Sequence, residues 1–158
     1  MIEYLYRLSS LINKVLLFLG AVVLCLMMLL ATGNMVIGFV DQPLRGSYEL
    51  TGFLGALAVC LAMAPTQQVR GHIAVTILDR LIPKKIRQVL NIAAQIVLAS
   101  FILLIIRQLV TLAVSLRLFG ELSESLRIPF YPLIFFMAFC FGALVLTLVV
   151  QVLSRDKY

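Results

Sequence analysis

The sequence predicts an all-α membrane protein with four transmembrane helices. Both termini are placed on the cytoplasmic side, and amphipathic interfacial segments connect the spans. Two observations carry this reading. Hydrophobic residues make up 63% of the 158 positions and charged residues only 13%, about half the usual charged share of a soluble domain. A chain of this size cannot hide that much apolar surface from water, so its solvent is largely lipid. The second observation is the alternation of long uncharged runs with short segments rich in Lys and Arg.

The first run, about 15–40, holds no charged residue. It exceeds the roughly 20 residues that cross a hydrocarbon core and spans it with tilt. It is too long for a cleavable signal and has no A-x-A-like end. The second span covers about 50–69 and contains Pro65. Proline lacks an N–H and frees the carbonyl of Leu61, which predicts a kink. The third span covers about 88–106. The fourth covers about 130–153, with Pro129 placed at its first turn. The whole chain, 1–158, reads as a single membrane domain.

Counting Lys and Arg on alternate sides of the spans gives nine against four. The excess puts both termini and the 70–87 loop in the cytoplasm and argues against dual topology.

The connections carry helical stripes. In residues 1–14, Leu5, Leu8, Leu11 and Ile12 share a face with Val15, which predicts a cytoplasmic interfacial helix leading into the first span. Ile73, Ile77, Leu78 and Leu81 mark a second such helix over 72–82, ended by Pro83. Leu109, Leu112, Ala113 and Leu116 continue the third span to Gly120. Span and arm together would measure roughly 48 Å. That exceeds the bilayer core and predicts a bend or break near Arg107, with an arm of about 107–120 along the periplasmic interface.

Several function classes fall away. The net charge of +6 is spread between apolar runs rather than gathered on one basic face, so nucleic acid is not the partner. Cys25, Cys60 and Cys140 lie inside apolar runs with no CxxC pair, which excludes a zinc ligand set and disfavours disulfide chemistry. They read as small apolar packers. There is no P-loop, no GxGxxG and no second histidine beside His72 to make a dyad. No catalytic residue, metal or cofactor is expected.

A pump or coupled carrier needs an ionisable group or broken helices near the midplane. The first, third and fourth spans carry no charge, and Glu49 opens the second at its outer end. Glu49 reads as an interfacial carboxylate or helix N-terminal anion ahead of a proton carrier. Asn91 and Gln95, four residues apart, point to interhelical hydrogen bonds ahead of substrate contact; Asn34 is a third notable amide. Gly52 with Ala56, Ala58 with Ala62, and Ala138 with Gly142 are small pairs that permit close helix approach.

Four spans, the segment YELTGFLGALAVCLAMA, the exit RGHIAV and the arm GELSESLRIP followed by FYP occur in that order. Together they resemble the small, DctQ-like membrane subunit of TRAP (tripartite ATP-independent periplasmic) transporters, over roughly residues 10–153. The resemblance implies a non-catalytic scaffold in the bacterial inner membrane. Its tight partner would be the large elevator-type subunit, which carries an organic anion, commonly a carboxylate, with sodium. Sodium is expected on that large subunit and not on this chain. A periplasmic solute-binding protein would be a transient partner.

Glu49, Arg70, His72 and the segment from Ser125 to Pro129 match the family pattern and are expected to fix helix ends or subunit and lipid contacts. Arg70, Lys84, Lys85 and Arg87 suit phospholipid headgroups. Arg117, Glu121, Glu124 and Arg127 suit the solute-binding protein or ordinary solvation equally well. The competing classes are a self-sufficient four-helix exporter, which would want an acid in the first span, and a four-span membrane enzyme, for which Arg70 and His72 supply only a fragment.

Overall fold

Thirty-nine consecutive residues, Ile2–Val40, form the first helix, α1. The computed structural model describes residues 2–40, 44–69 and 84–154. Three further helices follow: α2 (Ser47–Gln68), α3 (Lys84–Phe119) and α4 (Tyr131–Ser154). All four are long and apolar enough to cross a membrane. Among the described residues there is no strand, only an isolated bridge between Leu122 and Pro129.

The helices run up and down in sequence. α4 is the centre of the arrangement: it packs against each of the other three. α1 packs on α2, whereas α3 is held through α4 and has no comparable contact with α1 or α2. The core comprises Leu16 of α1, Cys60, Leu61 and Ala64 of α2, Ile102 of α3, and Cys140, Ala143, Leu144 and Leu148 of α4. Two of the three cysteines are therefore packers, while Cys25 is exposed on the outside of α1.

The packing follows a seven-residue repeat. On α1 the inward positions are Ser9, Asn13, Leu16, Gly20, Val23, Met27, Leu30 and Asn34, all buried or half-buried. On α3 they are Gln95, Ala99, Ile102, Ile106, Leu109, Ala113 and Leu116. Steps of four and three residues keep one stripe facing a neighbour, as in left-handed helix pairs. Where α1 meets α2, Gly20 removes the obstacle: a β-carbon there would stand 3.3 Å from the Leu61 Cβ.

Three expectations are corrected. Residues 2–14 are not set off from the first span but form one continuous helix with it, as the first part of α1. It turns Ser9 and Asn13 inward while Leu8, Leu11 and Val15 are exposed. Polar side chains with partners inside the bundle displace leucines that lipid accommodates equally well. Of the bend or break expected near Arg107, the break does not occur: α3 is continuous helix through that residue. The stripe facing α4 continues in register from Ile106 to Leu109, so breaking the helix there would forfeit the packing of Ala113, which is fully buried. Leu112, expected on the same face, is exposed. Finally, Pro129 precedes α4 in the bridge with Leu122, and Pro132 occupies the first turn. A first-turn residue has no intrahelical acceptor for its N–H, so proline costs nothing there.

Pro65 lies inside α2 and is buried, with the helix carried on to Gln68. The pairs of small residues behave unequally. Ala138 is buried, but Gly52 and Gly142 face open space. The predicted helix 72–82 lies outside the described residues.

Candidate functional site

The polar contacts of the bundle are gathered near its two ends. The first group joins the start of α2 to the loop between α3 and α4. α3 stops at Gly120, whose φ of +65° is open to glycine, and the Glu121 N–H returns to the Leu116 carbonyl at 3.1 Å. This is the six-to-one bond of a glycine-terminated helix. The chain then turns tightly. The Ser123 N–H donates to the Ile128 carbonyl at 3.0 Å, and the Arg127 N–H donates to the Ser123 carbonyl at 3.1 Å. Arg127 itself takes a positive φ of 53°.

The turn points its donors at one carboxylate. The Ser123 hydroxyl and the Leu126 N–H (3.2 Å) both donate to Oε2 of Glu49, and the Ser125 N–H donates to Oε1 at 2.9 Å. An ionised carboxylate is an acceptor only, and both of its oxygens are used. Leu126 seals the junction from the other side. It lies over Gly46, the residue before α2, where φ is +80° and a β-carbon would stand 2.7 Å from the Leu126 Cγ. Phe53 and Phe130 meet edge to face alongside, with centroids 5.4 Å apart. Glu49 is thus a clasp between helices, not a free acid.

The second group lies at the opposite end. The Asn13 amide donates to the Thr147 hydroxyl oxygen at 3.1 Å, Ser9 lies 3.4 Å from the same oxygen, and the Thr147 hydroxyl reaches the Ala143 carbonyl at 2.9 Å. Asn13 and Thr147 are both 2% exposed, so this is a fully internal link between α1 and α4. Gln67 of α2 donates to Gln151 of α4 at 3.0 Å. In return the Gln151 amide donates to the Gln67 carbonyl at 2.7 Å, capping the end of α2.

Of the sequence-predicted residues, the structure brings Glu49 and Ser125 together, with Pro129 and Arg127 shaping the same turn. Arg117, Glu121, Glu124 and Arg127 are exposed around it. Gln95 faces inward, but its Oε1 is buried with no partner among the described residues. Lys84, Lys85, Arg87 and Asn91 lie in the first turns of α3, and their side chains are outside the description. Arg70 and His72 lie outside the described residues. Ser9, Asn13, Thr147, Gln67 and Gln151 escaped the sequence reading. Part of their signal was available: Thr147 and Gln151 are isolated polar residues in an apolar run, and Ser9 and Asn13 fall on the seven-residue stripe.

The Ser123 hydroxyl does meet a carboxylate, but backbone N–H groups of the same turn also occupy both oxygens of Glu49. The Ser123 hydroxyl and the Glu49 carboxylate are both engaged in tying the α3–α4 turn to the start of α2. Compared with known protein families, residues 27–157 match the family described as Tripartite ATP-independent periplasmic transporters, DctQ component. The chain belongs to the DctQ family. No curated protein and no solved structure gives a significant match. The DctQ match starts within α1 and takes in all of α2, α3, the clasp and α4. DctQ proteins are components of a tripartite transporter, so this one is a multi-pass membrane component of a transport system.

Proposed function

We propose that this DctQ chain is the non-transporting scaffold subunit of a sodium-coupled TRAP transporter. It binds the large elevator-type subunit tightly in the bacterial inner membrane, with both termini in the cytoplasm. A periplasmic solute-binding protein delivers the organic anion, a carboxylate, to the large subunit. Family membership carries this reading. The physics of the spans supports it. No Asp, Glu, Lys or Arg occurs between Val15 and Val40, between Leu50 and Val69, between Gln88 and Ile106, or between Ile128 and Ser154. An ion-coupled path through this chain would need such groups, or broken helices, at mid-depth. The two polar groups instead fix helix ends, which suits a part that stays still while another moves.

Expression of the chain alone, with the large subunit, and with both partners tests the proposal. Uptake of a carboxylate requires all three, and the chain co-purifies with the large subunit. Uptake by the chain alone, as a homo-oligomer, overturns it. Cysteine-accessibility labelling at Arg45→Cys and Arg155→Cys checks the orientation: the first reacts from the periplasm, the second only after permeabilisation.

A further inference from the structure

At the Glu49 end of the bundle a depression of about 350 Å³ opens between α1 and α2, lined by Ala31, Asn34, Met35, Gly38, Phe39 and Tyr48. We propose that it is a binding site for one phospholipid, held by its phosphodiester and ester oxygens. The site is independent of the scaffold reading.

Three observations support this occupant. The first is depth. The depression lies where the charge-free run of α1 ends and α2 begins, at the level where hydrocarbon gives way to water. Phe39 and Tyr48 stand on its rim 80% and 85% exposed, and aromatic side chains favour that level. The second is hydrogen-bonding character. The Asn34 Oδ1 accepts the Leu44 N–H at 2.9 Å. That bond fixes the amide orientation and leaves the NH₂ group, which only donates, as the group to meet a ligand. Tyr48 adds a phenol. The third is shape. Ala31, Met35 and Gly38 lie on one face of α1, and the two small residues lower the floor between Asn34 and the rim. Two hydrogen-bond donors and an apolar floor at the interface fit a ligand that is acceptor-rich at one end and hydrocarbon at the other.

Asn34→Asp separates the ligand from the fold. The carboxylate keeps the acceptor for the Leu44 N–H but loses the donor and repels a phosphodiester. Tyr48→Phe, at a position so exposed, leaves the bundle intact and removes only the hydroxyl. The full chain in its native assembly, extracted in mild detergent, is weighed by native mass spectrometry. Wild type is expected to retain one phospholipid more than Asn34→Asp. Titration with a short-chain phospholipid is expected to show roughly tenfold weaker binding for Asn34→Asp, with a smaller loss for Tyr48→Phe. Excess inorganic phosphate leaves the lipid in place. Equal lipid retention by wild type and Asn34→Asp overturns the proposal, and so does displacement by inorganic phosphate, which would mark a free-anion site.

Discussion

Gly20 of α1 faces Leu61 of α2 so closely that the two helices have no room for a side chain between them: an added β-carbon would stand 3.3 Å from the Leu61 Cβ. Leu61 is 1% exposed and is held by the core, so it cannot retreat. Gly20→Leu is expected to cost about 1–3 kcal/mol through overpacking. Gly52→Leu, where nothing lies within 4 Å, is expected to be near neutral within the chain. Reversible unfolding in mixed micelles measures both; equal losses would refute the close approach.

Thr147 serves Asn13, Ser9 and its own helix with one hydroxyl. Thr147→Val leaves the Asn13 amide buried without that partner and is expected to cost about 1–2 kcal/mol. Combined with Asn13→Leu, the losses should be non-additive by about 0.5–1.5 kcal/mol, since the two residues touch. Strict additivity in the double-mutant cycle would show that the contact contributes nothing.

The clasp at Glu49 restrains an exposed trypsin site, Arg127, which the turn holds in the left-handed region. Glu49→Ala removes the acceptor for Ser123, Ser125 and Leu126 together. Cleavage after Arg127 is therefore expected to quicken, while Arg117, within the last turn of α3, stays at its wild-type rate. Glu49→Gln retains one carbonyl oxygen and should fall between. An unchanged rate in Glu49→Ala would mean that the turn holds itself.

Continuity of α3 gives another test. One alanine inserted after Arg107 rotates everything beyond it by about 100°. Leu109, Ala113 and Leu116 would then leave α4, and Ser123 would leave Glu49. The expected result is a wild-type first half with a loosened clasp, read as trypsin sensitivity at Arg127. A true break near Arg107 would absorb the insertion and leave the clasp protected.

The number of helices and their approximate ends were legible because charge marks the ends of lipid-soluble runs. Which way each helix turns was not. In α1 nearly every position is apolar, and lipid takes leucine as readily as a protein neighbour does. Hydropathy therefore cannot separate the exposed Leu8 and Leu11 from the buried Leu16. The inward stripe is written instead in the residues lipid does not want, Ser9, Asn13 and Asn34, together with Gly20. The same rule explains the arm. Arg107 and Arg117 suggest an exit to the interface, but Ala113 and Leu109 hold the helix to α4 across that level. Glu49 was recognisable as a helix-end acid; its partners were not, because backbone N–H groups have no sequence signature. The segment from Ser125 to Pro129 was marked only through family resemblance, as a helix-end or contact segment; that it forms a tight turn came from the structure.

The Glu49 clasp closes over a separation of 74 residues between Glu49 and Ser123. It therefore bears on how the protein is made. During synthesis α1 and α2 enter the membrane before Ser123, Ser125 and Leu126 exist, so the carboxylate is at first solvated by water. The α1–α2 hairpin can assemble on its own neighbouring contacts. Capture of Glu49 must wait until α3 has been inserted and its far end has turned back, which makes the clasp a late checkpoint in biogenesis: it registers that the second hairpin has arrived in the correct orientation beside the first.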